Sequence, residues 1–583
     1  MGEVLRRGAE AEGEALRAAA EVTGTSSDEL RFAAGVLASV PLGAAHAALP
    51  PGRSRHVFSC VAGIAVIAWV FRSECVYLIG TTAALFLSLA VVPRRLCHVF
   101  VWVAAFAWLI YLHAVNASGE AWARGRIDFT GSQMMLTVRV ITLAVNWADG
   151  SKAPSECSHS MLHFRITDAK LPGVFEFFGY CLHPCQLLAG PWIEFVTYRR
   201  WANGESPWHA NMRHVPGRAR ATLGTLTTAL SVATFYILSS PYLQHDLLIS
   251  ERFQQMPFVK RLGWLWLYMI HYRSRFYLIW KLAEASNNAS GLGFNGYSIE
   301  PGVHESVESL VKADYVQYQQ QGRGSSENAN GSSPSTSASL SRPNEKTLQA
   351  DWTRCRNVDI RRVELATSGR DLPQYWNINT GLWLRRYVYD RLIEQVPPAL
   401  EQAFPRCRKL HSVVRRTKMF IALLVTQTVS GIWHGLYAGY WMFFVGSVAM
   451  LQAAKNMFRL QRALPTRRQA NVLAAVHMVL TMHHLSFLAC CFAMVEFRRS
   501  YQALKALNFS GVYTTGIMLL PLTNIANKLG LLSLPRKSVS LARTSSGGSY
   551  DNDSDEALSP TIAAPESDEH TSSPESKDHR KSA

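Results

Sequence analysis

Between Met419 and Leu451 the sequence has no Asp, Glu, Lys or Arg. A run of that length exceeds the roughly 20 residues a helix needs to cross a bilayer. The ten cysteines contain no Cys-x-x-Cys pair, and no His/Cys cluster completes a site around Cys181 and Cys185. That pattern argues against a disulfide framework and against a structural zinc site. No internal repeat stands out, which counts against a transporter built from duplicated halves. A cleavable signal peptide is not evident either. The first 29 residues are polar, charged and rich in Ala and Glu. They read as a short amphipathic or disordered arm, with the first apolar run acting as an uncleaved anchor.

Very apolar runs are plentiful. They lie near residues 30–50, 55–72, 74–93, 96–115, 221–246, 262–283, 417–451, 472–497 and 511–525, with shorter ones at 133–147 and 172–193. The mean hydropathy of +0.02 hides them, because they alternate with polar tails and inserts. The expected fold is an all-α polytopic membrane protein with about nine to eleven transmembrane helices, its backbone satisfied within helices. Residues 30–525 read as one domain. Residues 317–348 form a Ser/Asn/Pro-rich insertion, and residues 526–583 a polar tail that becomes Ser/Asp/Glu-rich from about 536. Neither buries enough apolar surface to offset the entropy of ordering, so both are expected to be disordered. The tail ends with Arg580-Lys581-Ser582-Ala583, similar to a dilysine retrieval signal, though chance explains this equally well.

The formal net charge is +17, in clusters that flank the apolar runs: Arg94-Arg95, Arg199-Arg200, Arg213 to Arg220, Arg385-Arg386 and Arg406 to Lys418. Positive-inside topology accounts for most of this. A polyphosphate cosubstrate held on the cytosolic face is compatible with it. Nucleic-acid binding is excluded as a reading, since the charge sits between spans and not on a soluble module.

His434 stands out inside the charge-free run, within Ser430-Gly431-Ile432-Trp433-His434-Gly435-Leu436. An ionisable side chain at membrane depth faces a cavity or a partner, not lipid. Imidazole also titrates near neutral pH, which suits proton transfer. Two readings are open from this run alone: packing against a backbone carbonyl, or chemistry. Gln427, Ser430, His434 and Tyr437 follow i, i+3, i+7, i+10, so a continuous helix would carry them on one polar face. A second constellation runs from Asp371 through Asn377, Asn379, Trp383, Arg385 and Arg386 to Tyr389. Pro373 and the two asparagines suit a turn into a helix, with Trp383 and Tyr387 paired along it. Asn377 either satisfies local backbone or orients a reacting group. A third segment, Gly190-Pro191-Trp192-Ile193-Glu194, breaks an apolar run and sets down a carboxylate that demands a partner.

These segments, taken in order, resemble the membrane-bound O-acyltransferase family, and within it the lysophospholipid acyltransferase branch. The resemblance rests on Gln133 to Gly150, Leu188 to Tyr198, Arg275 to Gly296, Trp376 to Tyr387 and Trp433 to Tyr440. It covers roughly residues 30–525, without the insertion. It implies a helical bundle with re-entrant or interfacial helices around a buried reaction chamber. It places the family's signature polar pair on Asn377 and His434. These lie 57 residues apart, a wider spacing than is usual in the family, with extra residues in the basic stretch Gln395 to Arg416. It further implies transfer of a fatty acyl group from acyl-CoA, as cosubstrate, to a lysophospholipid hydroxyl. No metal or bound cofactor is needed, and the endoplasmic reticulum is the expected membrane. Trp433, Gln427, Ser430, Trp383, Glu194, Arg385 and Arg386 are the candidate substrate-binding residues. Another acceptor (a sterol, a diacylglycerol or a protein) is the nearest alternative; a transporter or an inactive scaffold is further off.

Overall fold

A computed structural model describes residues 2–116, 127–157, 159–208, 217–299, 348–394 and 408–532. Met1–Ser533 form one compact unit. Most of the insertion at 317–348, the tail from 536 and residues 395–407 of the basic stretch lie outside the described residues.

The regular structure of the described chain is helical except for one two-stranded antiparallel ribbon, Tyr297–Ile299 against Leu348–Ala350, and an isolated bridge between Val358 and Trp376. The polar arm forms a helix, Gly2–Thr23, whose Glu12 meets Arg72 at 2.8 Å and Arg31 at 3.4 Å. The next helix, Ser27–Ala48, opens on a reciprocal capping box between Ser26 and Glu29, which satisfies two otherwise orphaned backbone N–H groups.

Five segments combine length with sustained hydropathy among the described residues: Ser27–Ala48, Arg53–Val91, Cys97–Asn116, Arg218–Ser239 and Arg467–Met494. Arg53–Val91 is two helices, broken at Arg72–Glu74. Four more helices reach about 30 Å or longer at 1.5 Å per residue: Thr130–Asp149, Phe258–Ala289, Arg408–His434 and Ala438–Ala463. Charged residues lower their mean hydropathy, and several of these charges are paired inside the protein. Arg273 grips Glu364 through Nε at 2.8 Å and Nη2 at 2.5 Å, and Lys281 meets Glu284 at 2.7 Å.

Two helices show how differently such an element is satisfied. Arg218–Ser239 buries Ala229 alone, and exposes Leu223, Leu230 and Leu238 as a lipid-facing surface would. Its Thr222, Thr225, Thr228 and Thr234 hydroxyls each donate to the carbonyl four residues back, so no hydroxyl hydrogen is left for lipid to solvate. Thr130–Asp149 is the opposite: every residue but Gly131 is buried. A helix buried all round sits at the centre of its fold. Its Arg139 is fully enclosed and donates to the Tyr180 and Cys181 carbonyls and to Gln186 Oε1. Gln186 passes the chain on to Asn287 at 3.0 Å. The stretch from Tyr180 to Gln186 and the Arg275 to Gly296 segment are thereby tied to one pillar.

Candidate active site

The helix Arg408–His434 stops at His434 because Gly435 takes φ +135°, a conformation that side chains other than glycine's rarely adopt. Tyr437 is then the N-cap of the following helix, Ala438–Ala463. The expected polar face therefore loses Tyr437: it belongs to a new helix with its own direction. Ser430 and Gln427 keep their places one and two turns before His434, Ser430 buried and Gln427 half-buried. Gly439 serves a different need. A Cβ there would stand 2.2 Å from the Cys491 carbonyl oxygen, and its own N–H donates to Val495 at 2.7 Å.

His434 sits in an aromatic pocket. Phe444 stacks on it at 4.9 Å, Trp433 and Phe492 present edges at 4.8 and 5.2 Å, and Tyr440 lies at 6.1 Å. Trp433 is buried and doubly fastened. Its indole N–H donates to the Met134 carbonyl at 2.8 Å, and its own carbonyl accepts from His113 Nε2 at 3.1 Å. No hydrogen bond reaches the His434 ring among the described residues, and the side chain is only half-buried. Its nitrogens are therefore held in place by packing yet remain open to a ligand.

Asn377 heads a different helix. It takes φ +46° as the N-cap of the helix Ile378–Leu384, without a side-chain capping bond. Its Oδ1 accepts from Asn357 Nδ2 at 3.1 Å, while Asn379 donates to the Arg356 carbonyl at 2.9 Å. The neighbouring Trp376 closes an aromatic group with Phe276, Tyr277 and Trp280. Among the described residues no hydrogen bond or ring contact joins Asn377 to His434.

Glu194, Trp383 and Arg386 are brought together. Glu194 is 3% exposed, and its carboxylate accepts from Asn146 Nδ2 at 3.0 Å, Arg386 Nη1 at 3.1 Å and the Tyr387 hydroxyl at 2.7 Å. Trp192 and Trp383 both donate to Thr142 Oγ1, at 2.9 and 3.1 Å. Trp383 and Tyr387 stack at 5.8 Å as their spacing predicts, although Arg385–Tyr389 is wound as a π-helix. Arg385 faces Asp390 at 3.5 Å. Just beyond, Asp149 pairs with Lys152 at 2.8 Å and with Arg391, and Arg94 lies over the Trp147 ring at 3.7 Å while donating to its carbonyl. Cations thus gather at the C-terminal end of the pillar helix, where its dipole favours them.

Sequence reasoning passed over His113, Asn357 and the anchoring role of Met134. His113 carried the same signal as His434, an ionisable ring within an apolar run, at the end of Cys97–Asn116. Asn357 and the Met134 carbonyl carried none, since a backbone acceptor is anonymous in sequence.

The described helices and their lipid-suited surfaces are those of an integral membrane protein. A sequence profile described as the membrane-bound O-acyltransferase family matches residues 65–397 and 410–495. With well over half of its length matched, the chain belongs to that family. It is similar to Lysophospholipid acyltransferase 2 of Arabidopsis thaliana, 28% identical over 496 residues that make up 84% of this chain and 91% of the plant protein. Lysophospholipid acyltransferase 1 of the same plant is 28% identical over 85% of this chain and 94% of its own length. Membrane-bound glycerophospholipid O-acyltransferase 2 of Homo sapiens is 22% identical over 69% of this chain and 66% of its own length.

Proposed function

We propose that this protein transfers a fatty acyl group from acyl-CoA to the free hydroxyl of a lysophospholipid. The observation that carries the chemistry is the His434 ring: fixed by four aromatic neighbours, with no protein group bonded to its nitrogens among the described residues. A hydroxyl is a weak nucleophile until its proton has somewhere to go. His434 takes that proton as the oxygen attacks the thioester carbonyl. The C–O bond forms, the C–S bond breaks, and the proton passes to the departing CoA thiolate. Asn377 has its Oδ1 engaged by Asn357, which leaves its Nδ2 hydrogens as the donors. They suit the oxygen of the tetrahedral intermediate or the acceptor itself. Direct transfer is favoured over an acyl-enzyme, since Ser430, the nearest serine along the chain, lies buried a full turn before His434.

The pillar helix gives the cosubstrate a direction. Met134 anchors Trp433 near one end, and Asn146 meets the Glu194–Arg386 pair near the other. Twelve residues of helix separate them by about 18 Å. Acyl-CoA phosphates at the cationic end, with the acyl thioester at His434, fit that separation. The lysophospholipid acceptor is supported by the names of the relatives, and the endoplasmic reticulum is the membrane where such lipids are remodelled. Labelled acyl-CoA added to the protein in nanodiscs, with a panel of lysophospholipids, a sterol and diacylglycerol, tests the reading. Diacyl phospholipid is the expected product. Product from the sterol or diacylglycerol alone would reassign the acceptor, and no product from any member would overturn the reading.

A further inference from the structure

We propose that His113 is a second imidazole of the reaction site, a substrate-positioning residue whose Nδ1 accepts a hydrogen bond from a substrate O–H or N–H beside His434. The inference rests on the acyltransferase reading above. His113 ends the helix Cys97–Asn116 and is 4% exposed. Its Nε2 lies 3.1 Å from the Trp433 carbonyl oxygen, which can only accept. Nε2 therefore carries the hydrogen, and in the neutral ring the lone pair falls on Nδ1. Nδ1 has no hydrogen-bond partner among the described residues. It points toward Gly435: a Cβ built on that glycine would stand 3.7 Å from Nδ1 and 3.4 Å from the Tyr440 ring. With glycine there, the space between His113 and the wall of the His434 pocket is left free of side chain.

A second observation comes from the start of the pillar helix, next to the residue that anchors Trp433. Gln133 and Ser132 are fully buried, and both amide atoms of Gln133 and the hydroxyl of Ser132 lack hydrogen-bond partners among the described residues. They immediately precede Met134, whose carbonyl holds the Trp433 indole. Buried polar groups left unpaired are costly, and native proteins rarely tolerate several side by side without a ligand or ordered water. Two donors on the substrates match a lone pair at Nδ1: the acceptor lipid's hydroxyl, and an amide N–H of the pantetheine arm of acyl-CoA.

Two substitutions separate the two nitrogens. His113→Gln places an amide N–H where Nε2 donates to Trp433, but leaves nothing at the Nδ1 position. His113→Asn does the reverse. The full-length protein in nanodiscs is assayed for kcat and for the KM of each substrate, together with its unfolding temperature. For His113→Gln we expect an unchanged unfolding temperature and a three- to tenfold rise in one KM, the size of one lost hydrogen bond. The KM that rises tells which substrate donates. His113→Asn should unfold at a lower temperature yet recover that KM. Both KM values at the wild-type level in His113→Gln would overturn the inference, as would a loss that follows unfolding temperature alone. Stabilisation of the protein by lysophospholipid or by acyl-CoA gives a reading without turnover. It should be weaker for one ligand in His113→Gln, and equal stabilisation by both would likewise count against His113. Absence of turnover in the wild type would sink the acyltransferase reading separately.

Discussion

The Glu194 network and the His434 pocket each hold a buried or half-buried ionisable side chain, and both are tied to the same helix, yet they are finished differently. The Glu194 carboxylate has donors from Asn146, Arg386 and Tyr387, and Thr142 serves two indoles at once. At His434 the described residues supply walls and no hydrogen bond to the ring, while Gln133, next to the Met134 anchor in sequence, keeps both amide atoms unpaired. A saturated network holds segments in register. An unsaturated one is complete only when something else enters. Burial alone does not separate these two cases; the count of unused lone pairs and hydrogens does.

That contrast can be broken by experiment. His434→Ala should lower kcat by about 10²–10⁴-fold with an unchanged unfolding temperature, as loss of a general base does. Asn377→Ala should follow with about 10²-fold. A His434→Ala protein that is folded and fully active would remove the chemistry from this pocket. Glu194→Ala strands the Arg386 guanidinium and the Asn146 amide N–H without their acceptor, while the Tyr387 hydroxyl keeps Asn146 Oδ1, and should destabilise by about 3–5 kcal/mol in thermal unfolding. Its activity should fall only as far as the folded fraction does. If kcat dropped at constant stability, Glu194 would belong with the reacting groups and the division drawn above would fail. Arg385→Ala is the mildest. Its pair with Asp390 at 3.5 Å is partly exposed, so stability should stay within about 0.5 kcal/mol. A two- to threefold rise in acyl-CoA KM that disappears at high salt would mark Arg385 as a phosphate contact.

The membrane class was legible because spanning helices need long apolar runs, and the composition of those runs is local information. His434 was legible for the same reason: one ionisable ring in a run without charges is conspicuous. Tyr437 misled because periodicity assumes a continuous helix, and a single glycine at φ +135° ended it. The need for a partner at Glu194 could be read from its neighbours. That the partner is Arg386 could not, since 192 residues separate them. Charged helices such as Phe258–Ala289 blur hydropathy because their charges are paired by distant segments, as Arg273 is by Glu364. Local pattern therefore yields elements and suspicious residues; long-range pairing yields the site.

The Trp433 anchorage also has a meaning in time. Its two hydrogen bonds join residues 299 and 320 positions apart in the chain. At a synthesis rate of 5–20 residues per second, the Met134 carbonyl waits about 15–60 s in the membrane before its indole is made. Closing so long a loop is also what slows folding. The proposed reaction site is thus among the last parts of the molecule to assemble. A nascent chain cut anywhere before Trp433 can insert its early helices yet lacks both His434 and the indole that fastens it to the pillar helix.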